Sequence, residues 1–180
     1  MFARERYNDD MSKSNQILIE KDITEDLVRE IAIMERENFH EVFHICHEEL
    51  RDTLHEPSAI NVIAYDENEH IAGYLLAMDF SEEFEDLKSA DPGIEDIPGA
   101  IYLHSIVVRQ DMRGKGVFGK LIKTFRDYCP DKTVALHAST KNASSAGFQK
   151  YGARFIRTVE NWYGTGEAFD YLIFDSNNSR

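Results

Sequence analysis

The stretch Ser105–Leu121, SIVVRQDMRGKGVFGKL, carries the residue types whose order could do chemistry. A β-branched run, Ile106, Val107 and Val108, passes through the polar turn Arg109–Met112 into Arg113-Gly114-Lys115-Gly116, and Val117, Phe118, Gly119 and Lys120 open an amphipathic segment. A strand that ends in a glycine-rich turn and then a helix is a phosphate cradle. The first-turn N–H groups have no intrahelical partner, and the helix dipole adds positive charge at that end. Gly114 and Gly116 lack a Cβ, so the backbone can approach a diphosphate and take positive φ where needed. Lys115 and Arg113 add charge beside it. An ordinary basic strand-to-helix turn is the bland reading of the same residues.

Two familiar phosphate loops fit poorly. G-x-x-x-x-G-K-[ST] is nearly met by Gly114 to Lys120, but Leu121 stands where the hydroxyl is needed. Gly114-Lys115-Gly116-Val117-Phe118-Gly119 satisfies G-x-G-x-x-G, yet no acidic residue ending a second parallel strand follows at a suitable distance. A third motif, His40-Glu41-Val42-Phe43-His44, reads H-E-x-x-H. On a helix its histidines at i and i+4 would share a face with His47, and the glutamate could serve as a base for zinc hydrolysis. The longer zinc signature would need glycine where His47 stands and histidine where Leu50 stands. No helix with a clear third carboxylate follows, so no metal ligands are assigned.

These motifs need elements to hold them. Gln16–Glu20 reads as a short strand. Thr24 reads as an N-cap, and Leu27, Val28, Ile31 and Met34 recur at helical spacing, predicting a helix over Glu25–Asn38. A second helical stretch is expected from about His40 to Leu54, ended by Pro57. Ala59–Tyr65 and His70–Phe80 around Asp66-Glu67-Asn68-Glu69 predict a β-hairpin, with Gly73 marking a bulge or a close approach. The acidic segment Ser81–Gly99 reads mostly as loop with room for one short helix, because Pro92-Gly93 and Pro98-Gly99 are turn signals. A loop of that length is often functional and as often a disordered insertion. Then come a central strand, Ala100–Val108, a helix over Gly114–Tyr128, a strand over Thr133–Ala138, and a helix over Asn142–Tyr151 capped by Gly152. Ala153–Asn161 and Ala168–Phe174 close the chain as a hairpin. Residues 1–15 and 176–180 read as polar tails around one domain, 16–175.

The phosphate loop and this element order together resemble the GNAT superfamily, the GCN5-related N-acetyltransferases. Its pyrophosphate loop reads Arg/Gln-x-x-Gly-x-Gly/Ala after a strand. Here that is Arg113-x-x-Gly116-x-Phe118, with Phe118 departing at the last position. A second signature lies in KNASSAGFQKYGARF. Lys150 and Gly152 fall in place if Phe148 occupies a position that is tyrosine in the family. Asn142 is then one residue out of register, and Ala153 replaces the final phenylalanine. The resemblance spans about residues 16–175. It implies an α/β (α+β) fold, the GNAT acyl-CoA N-acyltransferase fold, with a central mixed, mostly antiparallel sheet of about seven strands flanked by helices.

The resemblance also implies direct acetyl transfer from acetyl-CoA, as co-substrate, to the primary amine of a small molecule or peptide. The segment Arg113–Lys120, with Asn142 and Phe148, would bind the cofactor. The central strand splays from its neighbour, and the pantetheine pairs with Ile106, Val107 and Val108, one of whose N–H groups acts as an oxyanion hole. An alkylammonium must lose a proton before it attacks, which needs a base of near-neutral pKa. His104 is the chosen base, because aralkylamine N-acetyltransferases place a catalytic histidine at the matching position. His137 is the second choice, and Tyr102 shares a face with His104 by strand alternation. The family's thiolate takes a proton from the tyrosine that Phe148 replaces, and a phenyl ring has none to give. Tyr151 is the substitute acid, although three residues on a helix turn it by about 300°, and Tyr163 comes after it. An acyl-CoA-binding domain without turnover, a sensor, is the alternative that Phe118 and Phe148 keep open.

Composition sets the bounds. With 180 residues, 42% hydrophobic and 29% charged, the chain is expected to be one globular domain with a sizeable core. A net charge of −13 argues against nucleic acid or an anionic membrane as partners and suits a cationic acceptor, or simply a solvated acidic surface. Cys46 and Cys129 lack paired spacing, which fits a reduced cytoplasmic setting. No secretory h-region or bilayer-length apolar run is evident. Trp162, Tyr163 and Phe169 on the closing hairpin would either form a homodimer surface or pack within the fold.

Overall fold

A computed structural model describes residues 16–176, so the predicted N-terminal tail and residues 177–180 of the C-terminal tail lie outside the described residues. The strands are β1 (Gln16–Glu20), β2 (Ile60–Tyr65), β3 (Ile71–Asp79), β4 (Ile101–Val108), β5 (Val134–Ser139), β6 (Arg154–Val159) and β7 (Phe169–Phe174). The helices are α1 (Glu25–Asn38), α2 (His47–His55), α3 (Phe80–Ala90), α4 (Val117–Tyr128) and α5 (Ser144–Lys150). Hydrogen bonding orders the strands β1-β2-β3-β4-β5-β7-β6. The β1–β2, β2–β3, β5–β7 and β6–β7 pairs are antiparallel, whereas β4–β5 is parallel. This is the mixed, mostly antiparallel seven-stranded sheet expected from the sequence.

The chain divides into two compact units. The first runs to Ala77 and resumes over Ser105–Tyr128; the second holds Met78–His104 and continues from Cys129. In the first unit Thr24 caps α1, its hydroxyl accepting from Leu27 N–H at 3.2 Å. The α1 stripe of Leu27, Val28, Ile31 and Met34 packs with Leu50 and Leu54 of α2, with Ile63 and Leu76 of the hairpin, and with Val107. Each such side chain contributes about 1.5–3 kcal/mol on burial. The β2–β3 hairpin closes as expected. Its register shifts between Ala64 and Tyr65, while Gly73 marks a close approach: a Cβ there would lie 2.7 Å from the Val107 carbonyl oxygen.

The expected helix over 40–54 is broken. Glu41–Phe43 is a single 3-10 turn, and α2 begins only at His47. The new start is a capping box: Cys46 Sγ accepts from Glu49 N–H, and the Glu49 carboxylate accepts from Cys46 N–H at 2.9 Å. A box built on cysteine rather than serine or threonine is easily overlooked in a sequence.

In the second unit the acidic segment is more ordered than expected, since α3 fills Phe80–Ala90. Phe80, Phe84 and Leu87 recur at helical spacing among the carboxylates, and Phe80 and Leu87 are buried. The helix after β4 starts at Val117, not at Gly114, because Gly114 and Gly116 have φ of +75° and +81°, outside the helical region. Gly152, at φ +98°, ends α5 as expected. Trp162 is buried, stacked on His137 at 4.1 Å and Phe169 at 5.5 Å, so the hairpin aromatics pack within their own unit. Among the described residues no helix is long and apolar enough to cross a membrane.

Candidate active site

The first unit holds the phosphate-loop segment. Along β4 burial alternates, with Val107 inside and Ile106 and Val108 half-buried. Polar chain follows: Arg109 donates to Asp66 and Asp111, both at 2.7 Å, and to the Ile71 carbonyl at 2.8 Å, which ties the strand end to the β2–β3 turn. Arg113, Gly114, Lys115 and Gly116 are exposed. At both glycines a Cβ would meet nothing within 4 Å, so the space beside the loop is open and only the positive φ selects glycine. The Lys120 N–H bonds to the Gly116 carbonyl at 3.1 Å as α4 begins. The N–H groups of the first turn of such a helix sit at its positive end. Donors, dipole and room suit a diphosphate.

Two side chains of this segment make contacts that the sequence does not show. Arg113 does not extend into open space beside the glycines. Its Nε donates to the Val108 carbonyl at 3.1 Å and its terminal nitrogen to the Asn38 side-chain oxygen at 2.6 Å, so it fastens the loop to the end of α1. Lys115 Nζ lies 3.6 Å from Met112 Sδ. Deeper in this unit Glu35 accepts from the Tyr74 hydroxyl at 2.6 Å and from Ser105 at 3.0 Å, which joins α1, β3 and β4. Burial, with the Glu35 charge next, pushes the Tyr74 phenol well above its ordinary range. The sequence offers no local sign of this cluster, since its members are 39 and 70 residues apart.

The second unit holds the titratable candidates. His104, on the solvent-facing side of β4, has Nδ1 3.5 Å from a Glu83 carboxylate oxygen of α3; about a third of its side chain (34%) is exposed. Tyr102, two residues earlier, is buried, and its hydroxyl lies 3.1 Å from His137 Nδ1. His137 Nε2 faces Asp91 at 3.3 Å, and Arg157 pairs with the same carboxylate while lying over the Tyr171 ring at 4.7 Å. The His137 side chain is only 1% exposed, sandwiched between Trp162 and Tyr171. Burial pushes the His137 imidazole down, against the pull of Asp91. Burial pushes Asp91 up, but hydrogen bonding from His137 and the Arg157 charge outweigh it and hold the carboxyl below its ordinary range. An ionised Asp91 therefore takes an N–H from His137 Nε2, and Nδ1 accepts from the Tyr102 hydroxyl. Asp91 and Arg157 were missed in the sequence; Asp91 shows there only as the start of a proline–glycine turn.

The remaining expected residues are dispersed within this unit. Asn142 is exposed, its side-chain oxygen accepting from Ser144 N–H at 2.8 Å ahead of α5. Phe148 is buried against Phe174. Tyr151 caps the C-terminus of α5 and is exposed. Tyr163 donates to Asp86, and burial, reinforced by that carboxylate, pushes its phenol far up. That makes it a weak proton donor. The zinc-like motif loses its physical premise. His40 and His44 flank a 3-10 turn rather than sharing an α-helical face; His40 Nδ1 takes the Val42 N–H, and His44 Nε2 bonds the Phe39 carbonyl. Among the described residues no group of three or more His, Cys, Asp or Glu side chains could hold a metal ion.

Comparison with known proteins agrees with this fold. The pattern of the Acetyltransferase (GNAT) family matches residues 26–153. A search of curated protein sequences finds no match. Among solved structures, Arabidopsis thaliana NAA60 in complex with a bisubstrate analogue superposes with a TM-score of 0.72 at 16% identity, covering 92% of this chain and 100% of that one. The same protein has also been solved with acetyl-CoA, at a TM-score of 0.63 and 16% identity over 82% of this chain and 92% of that one. Ard1 from Thermoplasma volcanium gives 0.69 at 13% identity over 91% and 98% of the two chains. The likeness in structure, at these identities, speaks for the fold; the family match covers well over half of the chain. The protein belongs to the GNAT acetyltransferase family, whose co-substrate is acetyl-CoA.

Proposed function

We propose that this chain, over residues 16–175, is an N-acetyltransferase that moves the acetyl group of acetyl-CoA directly to a primary amine of a small molecule or peptide. The carrying observation is the β4–loop–α4 segment: two positive-φ glycines with open space beside them, followed by the positive end of a helix. The segment Arg113–Lys120 would take the diphosphate at the start of α4, with Lys115 adding charge and Arg113 holding the loop in shape. Ile106, Val107 and Val108 would pair with the pantetheine. In support, the β4–β5 ladder comprises Ile101↔Val134 and Tyr102↔Ala135, the first two residues of β4. A strand N–H would take the charge that develops on the thioester oxygen. Asn142 and Phe148 are proposed to line the cofactor from α5.

For the chemistry, His104 accepts the proton that the acceptor ammonium must lose. The amine nitrogen then bonds to the acetyl carbon, the C–S bond breaks, and the thiolate takes a proton from Tyr151 or from water. A second reading of the base is favoured by the hydrogen-bonded series Tyr102–His137–Asp91, which could take the proton through the Tyr102 hydroxyl. The acceptor is proposed to be cationic, in keeping with the net charge of −13.

The test is thiol release from acetyl-CoA with a mixture of spermidine, glucosamine and a lysine-containing peptide with a free α-amino group, alongside thermal unfolding with acetyl-CoA. Ligand at about 100 times its dissociation constant adds roughly 2.7 kcal/mol. His104→Ala should keep that stabilisation and lose turnover. Turnover lost in Tyr102→Phe but kept in His104→Ala would move the base to the second series. Acetyl-CoA stabilisation without turnover of any amine would favour a sensor.

A further inference from the structure

Along the chain α3 follows β3 and precedes β4, and it brings one carboxylate to the ring of the proposed base. Glu83 Oε1 stands 3.5 Å from His104 Nδ1, and the Glu83 side chain is largely shielded, with 17% exposed. Neutral imidazole has one N–H and one lone pair, and a carboxylate beside Nδ1 selects the form with the proton there. The lone pair then sits on Nε2. The same negative charge favours the imidazolium that forms when Nε2 takes a proton. This is the second-partner logic that orients histidines in many sites, here supplied by a helix that the sequence presents as an acidic loop.

We infer that Glu83 is a positioning residue for His104: it holds Nδ1–H, presents the Nε2 lone pair to the acceptor ammonium, and stabilises the charged ring after proton transfer. The inference rests on His104 being the base. In the step, the ammonium N–H bond breaks, Nε2–H forms, and the Nδ1–H stays with Glu83, so no proton reaches the carboxylate. The other titratable groups of this corner include Asp86 on the same helix, Tyr102 on the same strand and Tyr163 from the β6–β7 turn. Asp86 takes the Tyr163 hydroxyl, and both tyrosines feel the Glu83 charge. Their phenols stay neutral, since burial raises both. Glu83 is thus the carboxylate whose 3.5 Å approach to Nδ1 the substitution tests.

The experiment is nitrogen-15 and proton NMR of the histidine rings of the full chain across pH, with His104 assigned by its loss in His104→Gln. In the wild type, neutral His104 carries its proton on Nδ1. Glu83→Gln keeps an oxygen acceptor and loses the charge, so the tautomer persists and the titration midpoint falls by about 0.5–1 pH, a threefold to tenfold loss of proton affinity. Glu83→Ala loses the tautomer bias as well. Unfolding temperatures close to wild type confirm that these partly exposed substitutions leave the fold intact. An unchanged midpoint and tautomer in both variants overturns the inference. Thiol release with the amine mixture separates the two readings. A Glu83-dependent titration together with full turnover in His104→Gln refutes the base assignment and with it the catalytic role of Glu83. Loss of turnover in His104→Gln, with the acid limb of the rate profile of Glu83→Gln displaced by the NMR shift, sustains both.

Discussion

Gly73→Ala probes the tightest backbone contact of the first unit, and its effect can be worked from distances. The added methyl would stand 2.7 Å from the Val107 carbonyl oxygen, 3.2 Å from Val117 Cγ1 and 3.3 Å from Leu121 Cδ1. Ordinary contacts begin near 3.4 Å, so the carbonyl must retreat by about 0.7 Å and the side chains by only 0.1–0.2 Å. The carbonyl belongs to a hydrogen-bonded strand and cannot rotate aside as a side chain can. Overpacking of this kind costs about 1–3 kcal/mol, which for a domain of this size lowers the melting temperature by roughly 2–12 °C. Val107 is also one of the proposed pantetheine positions, so acetyl-CoA affinity should weaken as well. Calorimetry for unfolding and for acetyl-CoA binding reads both. Gly93→Ala is the control: its Cβ would meet nothing closer than 3.5 Å, and it should stay within about 0.5 kcal/mol of wild type. A Gly73→Ala protein that melts within 1 °C of wild type and binds acetyl-CoA equally well would refute the packing argument and the strand assignment together.

Other outcomes follow from the same geometry. Gly116→Ala meets open space but must hold φ near +81°, so it should lose about 1 kcal/mol of stability and bind acetyl-CoA more weakly, as read by titration calorimetry. Arg157→Met leaves the Asp91 carboxylate buried without its cation. It should cost about 2–4 kcal/mol in urea unfolding, less than a fully buried pair because a third of the Arg157 side chain (33%) is open to solvent. Adding Asp91→Asn should recover part of that loss. Burial depresses the His137 proton affinity, so below pH about 6.5 the unfolded chain binds a proton that the folded one does not. Stability from this group is therefore complete above that pH and declines as the pH falls toward the folded value. The urea midpoint should drop between pH 7.5 and 5.5, and less so in His137→Asn; an equal drop in the two proteins would count against a neutral His137.

The acidic segment shows how far local pattern reaches. Its carboxylates and proline–glycine turns outweigh a three-residue apolar spacing, Phe80, Phe84 and Leu87, which becomes decisive only once a core exists to receive it. The 40–54 stretch errs the other way: helical composition on both sides of residues 44–46 hides a new N-cap at Cys46. For the site, the loop glycines were legible because positive φ is a property of one residue and its neighbours. The partners of His104, His137 and Glu35 were not, because each comes from another element.

By itself the sequence determined the strand–loop–helix of residues 106–120, the capped α1, the β2–β3 hairpin and the order of the strands along the chain, all consequences of side-chain period and local backbone preference. Tertiary structure alone decided that Arg113 fastens the loop to Asn38, that Glu35 gathers Tyr74 and Ser105, and that Asp91 faces both His137, 46 residues away, and Arg157, 66 residues away. Contacts at such separations depend on which faces the sheet brings together. No local propensity encodes them.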